Sequence, residues 1–213
     1  SNVKAVATGT TTSYALMKDG TVWAWGQNQY YQLGDGTNTN QFTPVQVVGL
    51  HDIVDIEART HVLALDKNGD VWVWGDNQFG QLGEGTNYVT HLTPAKLTTI
   101  SNVKQIGVGY GFSVALKNDG TVWVWGWNDA GRLGDGTTTD RYTPVQLSSL
   151  SNVQWIATGA HFVFARDWSD VWGWGNNDVG QLGDGTTESR LTPVRINNLK
   201  NMTRIASHSI FSV

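Results

Sequence analysis

Eleven Trp, six Tyr and six Phe give this 213-residue chain a large stock of aromatic faces. Such faces stack on sugars and anchor protein contacts. Eight of the Trp fall in pairs one residue apart: Trp23 and Trp25, Trp72 and Trp74, Trp123 and Trp125, Trp172 and Trp174. Alternation along a strand puts both members of a pair on one face of a sheet, where they fill the space between sheets. These eight therefore read as a structural signature. The aromatic residues that do not recur, Tyr30, Tyr31, Phe79, Tyr88, Trp127, Trp155 and Trp168, are the candidate ligand- or partner-binding residues.

Other groups capable of chemistry are scattered. Four Leu-Gly-(Asp/Glu)-Gly-Thr segments carry Asp35, Glu84, Asp135 and Asp184. Calcium requires several oxygens on one point. A single acid per loop is instead the pattern of a turn whose carboxylate accepts nearby backbone N–H groups. Of the five His (His51, His61, His91, His161, His208), His61 and His161 read as sharing one repeat position, with a hydrogen-bonding role. The absence of Cys removes disulfides and thiolate metal sites. Gly107-Val108-Gly109-Tyr110-Gly111 has neither the spacing nor the following helix of a dinucleotide loop. No nucleophile elbow or phosphate loop is present. No catalytic residue, metal or cofactor is expected. Asn201-Met202-Thr203 fits a glycosylation acceptor triplet.

Composition narrows the class further. Charged residues make up 15%, below the roughly one quarter of an average soluble chain, and the net charge is −4. The 14 Lys and Arg form no run, which argues against nucleic acid as a partner. No stretch reaches the roughly 18 apolar residues of a spanning helix, so membrane insertion is not expected.

The elements that position these residues follow from a repeat. Trp23, Trp72, Trp123 and Trp172 stand 49, 51 and 49 residues apart. All four Pro (Pro44, Pro94, Pro144, Pro193) follow a Thr at one repeat position, and Asn28, Asn77, Asn128 and Asn177 recur two residues after Trp-Gly. Each repeat reads as four short strands: 3–8, 13–17, 21–26 and 43–48 in the first. Lys-Asp-Gly, Lys-Asn-Gly and Asn-Asp-Gly close the central hairpins. Asp167-Trp168-Ser169-Asp170 has no Gly there, so that hairpin is expected to be reshaped. The second repeat is one residue short before His61. The expected fold is all-β: one propeller domain over 1–213, with blades of about 50 residues near 1–50, 51–100, 101–150 and 151–199 and the start of a fifth repeat at 200–213.

The runs 106–116 and 118–126, and the motif Asn77-Gln78-Phe79-Gly80-Gln81-Leu82-Gly83, resemble the regulator-of-chromosome-condensation repeat. The resemblance recurs four times and covers the whole chain, and its Trp- and Thr-rich character resembles bacterial members. It implies a propeller that acts as an interaction platform. Members are usually seven-bladed, which needs roughly 350 residues at this period. A fragment, a small ring, or a chain that completes its ring with copies of itself therefore all fit. The expected function is a non-catalytic protein-interaction or scaffold module of a secreted or cell-surface bacterial protein, with a protein partner or further copies of itself. A lectin-like carbohydrate binder is the alternative. An enzyme or a chromatin-bound nucleotide-exchange factor ranks below both, the latter because of the acidic balance.

Overall fold

The computed structural model describes residues 2–197 and 199, and the backbone of Ser207–His208 and Phe211–Ser212. The triplet at Asn201 and the rest of the fifth-repeat start lie outside the described residues.

Four antiparallel four-stranded sheets run along the chain. The first comprises β1 (Val3–Thr8), β2 (Thr12–Met17), β3 (Val22–Gly26) and β4 (Gln41–Gln46). The second holds β5 (Ile53–Ala58), β6 (His61–Asp66), β7 (Val71–Gly75) and β8 (His91–Lys96). The third holds β9 (Val103–Val108), β10 (Phe112–Lys117), β11 (Val122–Gly126) and β12 (Arg141–Gln146). The fourth holds β13 (Trp155–Thr158), β14 (Phe162–Arg166), β15 (Val171–Gly175) and β16 (Arg190–Arg195). A short hairpin, β17 (Ser207–His208) with β18 (Phe211–Ser212), follows. Asp129–Gly131 forms one 3-10 turn.

Turn chemistry sets the hairpins. Gly20, Gly69 and Gly120 take φ of 80°, 82° and 81° where β2, β6 and β10 turn back. Asp19 and Asp119 support their turns by accepting the N–H of Thr21 and Thr121, each at 3.0 Å. The fourth hairpin is reshaped, as its lack of Gly predicted. Asp167 N–H closes directly onto the Asp170 carbonyl at 3.1 Å, one residue sooner than Met17 closes onto Thr21. The Asp167 carboxylate accepts the N–H of Ser169 and Asp170.

Each sheet turns one face to the next sheet and the other to the preceding one. Tyr14, Leu16, Val22 and Leu33 of the first meet Ile53, Ile56, Val62 and Trp74 of the second. The same positions meet at the next two junctions, ending on Trp125 and Trp174. Burying an aromatic side chain of this kind contributes about 2–3 kcal/mol. In the second, third and fourth sheets the second Trp of the pair also donates its indole N–H across the junction, from Trp74 to Gln32 O at 2.8 Å, Trp125 to Gln81 O at 2.8 Å and Trp174 to Arg132 O at 3.1 Å. The paired Trp are thus the joints between blades. Trp25, in the first sheet, is only half-buried and makes no such bond among the described residues.

The first strands β1, β5, β9 and β13 adjoin one another in order along the propeller axis, and the fourth strands lie at the rim. Antiparallel order sends the turns after β1, β5, β9 and β13 and the long loops after β3, β7, β11 and β15 to the same end of the molecule. The hairpins after β2, β6, β10 and β14 point to the other end.

Strand register corrects one expectation. Gly26, Gly75, Gly126 and Gly175 pair with Thr12, His61, Phe112 and Phe162. His61 is therefore a strand residue equivalent to Phe162, while His161 sits in the preceding turn, level with Gly111. The deletion in the second repeat shortens the turn to Arg59-Thr60, which displaced the apparent match.

Candidate functional site

The long loops at one end of the propeller are rigid. In each, the Asn side chain accepts the Leu N–H five residues on: Asn28 from Leu33 at 3.0 Å, Asn77 from Leu82 at 3.1 Å, Asn128 from Leu133 at 3.0 Å and Asn177 from Leu182 at 2.9 Å. The Leu side chains are buried. The acid of the Leu-Gly-Asp-Gly-Thr segment caps a turn, with Asp35, Asp135 and Asp184 accepting the N–H of Thr37, Thr137 and Thr186. Those bonds hold all three carboxyls below the usual range, against the opposing effect of burial. Glu84 departs from this pattern and pairs with His91 at 2.5 Å. Among the described residues, no group of three or more His, Asp or Glu is arranged to hold a metal ion.

One position in these loops differs in a way that builds a site. Gln32, Gln81 and Gln181 accept the N–H of the residue two before them: Tyr30 at 2.8 Å, Phe79 at 2.8 Å and Val179 at 3.1 Å. The third repeat has Arg132, which has no acceptor. Its loop folds instead as the 129–131 turn, with Ala130 at φ 54°. The Arg132 guanidinium donates to Asp129 O at 2.8 Å, Tyr110 O at 3.3 Å and His161 Nδ1 at 3.1 Å, and to the Asp129 carboxylate at 3.3 Å. It lies 3.8 Å above the Trp127 ring, a contact worth about 0.5–2 kcal/mol. Burial pulls its pKa down to about 10. Arg132 can only donate, so His161 Nδ1 accepts the hydrogen bond between them. Burial first, then Arg132 and Arg59, lower the pKa of His161.

Phe79 stacks on Trp127 at 4.5 Å and 11°. Phe79 and the Arg132 guanidinium thus both lie against the Trp127 ring system. Tyr110 leans on Trp127 at 6.1 Å and on His161 at 5.7 Å, with 43% of its surface exposed. Gly111, at φ 73°, permits the stack, since a Cβ there would stand 3.0 Å from the Phe79 ring and 3.4 Å from Trp127 Cβ. Loops of the second, third and fourth blades thus build one aromatic and arginine platform.

Two of the seven candidate aromatics, Phe79 and Trp127, meet in this platform. Tyr30 and Tyr31 lie half-buried in the first blade's loop, and Tyr88 stands 74% exposed in the second. Trp155 packs against the apolar face of the fourth blade with Phe162 and Phe164. Trp168, 76% exposed, occupies the hairpin at the opposite end. Sequence reasoning missed Tyr110, Arg132 and His161. The available signal was Arg132 standing where the other repeats have Gln.

The model of the regulator of chromosome condensation (RCC1) repeat matches residues 19–65, 68–116, 119–166 and 169–213. The chain belongs to the RCC1 repeat family. Each matched segment runs from the third strand of one sheet to the second strand of the next, so every repeat straddles two blades. The ultraviolet-B receptor UVR8 of Arabidopsis thaliana is 32% identical over 149 residues, 68% of this chain and 34% of the receptor. The human E3 ubiquitin-protein ligase HERC2 is 34% identical over 166 residues, 75% of this chain and 3% of the ligase. The chain thus spans about a third or less of the length of these relatives. Human WBSCR16 superposes with a TM-score of 0.87 at 23% identity, over 99% of this chain and 56% of that one. Prp20p of Saccharomyces cerevisiae gives 0.86 at 24%, over 99% and 54%. These two establish the propeller fold. The relatives named here are eukaryotic, and none of them bears out the bacterial type expected from the sequence.

Proposed function

We propose that this RCC1-repeat chain is a non-catalytic protein-interaction module whose contact centre is the Phe79–Tyr110–Trp127–Arg132 platform. The observation that carries the reading is the convergence of three partly exposed aromatics and a locked Arg on rigid loops. Aromatic residues and Arg dominate the energetics of protein interfaces, and a preorganised surface loses little entropy on binding. The reading draws further support from the family: the solved structure of Prp20p is described together with its binding to Gsp1p and histones. A sugar needs an open aromatic face, and the Trp127 ring is already contacted by Phe79 and Arg132, which favours protein over carbohydrate.

The test is retention of proteins from extracellular and cytoplasmic extracts by the immobilised chain and by its Trp127→Ala/Tyr110→Ala variant, beside a glycan array. A protein retained at least tenfold less by the variant supports the reading. Glycan binding with no such protein would replace it with the lectin alternative, and a concentration-dependent rise in particle mass would point to self-association.

A further inference from the structure

A second feature, independent of the platform, is the pair of outward blade faces at the two ends of the array. The three joints between successive blades repeat one set of contacts. The indole of the next blade's second Trp lies over the Gly of each Leu-Gly pair: a Cβ on Gly34, Gly83 or Gly134 would stand 2.9, 2.8 or 2.5 Å from Trp74, Trp125 or Trp174. Gly36, Gly85 and Gly136 donate their N–H to the outer-strand carbonyls of Leu92, Tyr142 and Leu191 at 3.0, 2.7 and 2.8 Å. The side chains of Tyr142 and Leu191 press on Gly80 and Gly131.

The two end faces carry the two halves of this set unmated. On the fourth blade, a Cβ at Gly183 or Gly185 would meet nothing within 4 Å among the described residues, and one at Gly180 only the Thr186 carbonyl of the same loop, at 3.8 Å. The Gly185 N–H finds no acceptor among the described residues. On the first blade, Trp25 is half-buried and its indole N–H is unbonded among the described residues. Phe42 is 93% exposed, where its equivalents Leu92, Tyr142 and Leu191 are 47%, 40% and 40% exposed. Val6 is exposed, where Ile56, Ile106 and Ile156 are buried. Projecting groups at one end and matching hollows at the other make a head-to-tail surface, which generates a ring where the rotation closes and a filament where it does not.

We propose that the fourth blade receives the first blade of a second copy of this chain, with Trp25 over Gly183, Phe42 against Gly180 and the Phe42 carbonyl accepting the Gly185 N–H. The occupant is a second copy because the first blade presents the same groups that the three internal joints already seat on equivalent Leu-Gly-(Asp/Glu)-Gly-Thr loops. These contacts lie on the outer strands β3 and β4. Nearer the axis the hairpin β17–β18, of two-residue strands, adjoins β13. The copy's six-residue strands β1 and β2 take that place on docking. The test is light scattering after gel filtration, from micromolar to millimolar concentration, on the full chain and two variants. Phe42→Asp removes the projecting ring at a solvated position. Gly183→Asn fills the hollow with a residue that tolerates the φ of 69° found there. The wild type is expected to rise from the mass of one chain to that of two or more, and each variant to associate at least tenfold more weakly. An equimolar mixture of the variants is expected to give a dimer and nothing larger, since one keeps an intact first blade and the other an intact fourth. Unchanged far-ultraviolet spectra verify the fold. A wild type that stays at the mass of one chain, variants that associate as the wild type does, or a mixture that remains monomeric would overturn the proposal.

Discussion

His61 is wholly buried, with Nε2 2.8 Å from Ser113 Oγ, and Ser113 in turn donates to Gln81 O at 2.8 Å. Ser113 spends its proton on that carbonyl, so Nε2 carries the hydrogen and the ring is neutral. Burial, with Arg59 adding to it, drives its pKa down to about 3. A His depressed in the folded state stabilises the fold fully above its unfolded pKa near 6.5 and loses that stability as pH falls toward 3. Glu57 works in the opposite sense. Burial, then repulsion from Asp55, raises its folded pKa to about 7, above the unfolded value of 4.5, so its contribution is present at low pH and disappears as pH rises through 7. The two offset each other between pH 7 and 5. Urea unfolding at pH 7.5 and 5.5 separates them: His61→Phe, the residue of repeats three and four, is expected to gain stability on acidification relative to wild type, and Glu57→Ala to lose it. Parallel pH profiles for all three proteins would contradict this assignment. Neither shift was legible in the sequence, because both depend on what a neighbouring blade packs over the side chain.

At the scale of elements, the strands were legible because the signals agree. Alternation, Gly-closed turns and the Thr-Pro at the outer strand all give the same four strands, and Trp-x-Trp marks the joints. The indole bonds across the joints were not legible, since the carbonyls they reach belong to loops some 42 to 44 residues away. Trp125→Phe keeps most of the apolar surface but removes the bond to Gln81 O, and is expected to cost about 2 kcal/mol in unfolding free energy. A cost below about 0.5 kcal/mol would mean that packing alone makes the joint. Gly126 is under a stricter constraint. It takes φ 103°, and a Cβ there would press on Gly111 O and lie 2.7 Å from Phe112 Cα. Gly126→Ala is expected to destabilise by about 3 kcal/mol. It is also expected to alter the near-ultraviolet signal of the adjoining Trp127, whereas an unchanged melting temperature would contradict the strain.

Across the whole molecule, recurring positions build the scaffold and departures from the repeat build the platform. The scaffold leaves its own trace at the first blade. Val6, equivalent to the buried Ile56, Ile106 and Ile156, is 73% exposed, and Phe42, on the outer strand, is 93% exposed. Repeat logic found Phe79 and Trp127 because they are unusual residues, but also selected Trp155 and Trp168, which the fold sends to a blade face and to the opposite end. It passed over Arg132, where a charge replaces Gln, because a charge in a loop is ordinary until the neighbouring blades are known. Binding of other proteins is proposed to be confined to the platform end of the propeller. A photoreactive phenylalanine placed at Tyr110, and separately at Trp168, tests it most directly in the same extracts. A discrete protein adduct is expected from position 110 and none from position 168; no adduct from 110, or one from 168 alone, would rule out the platform as the contact centre.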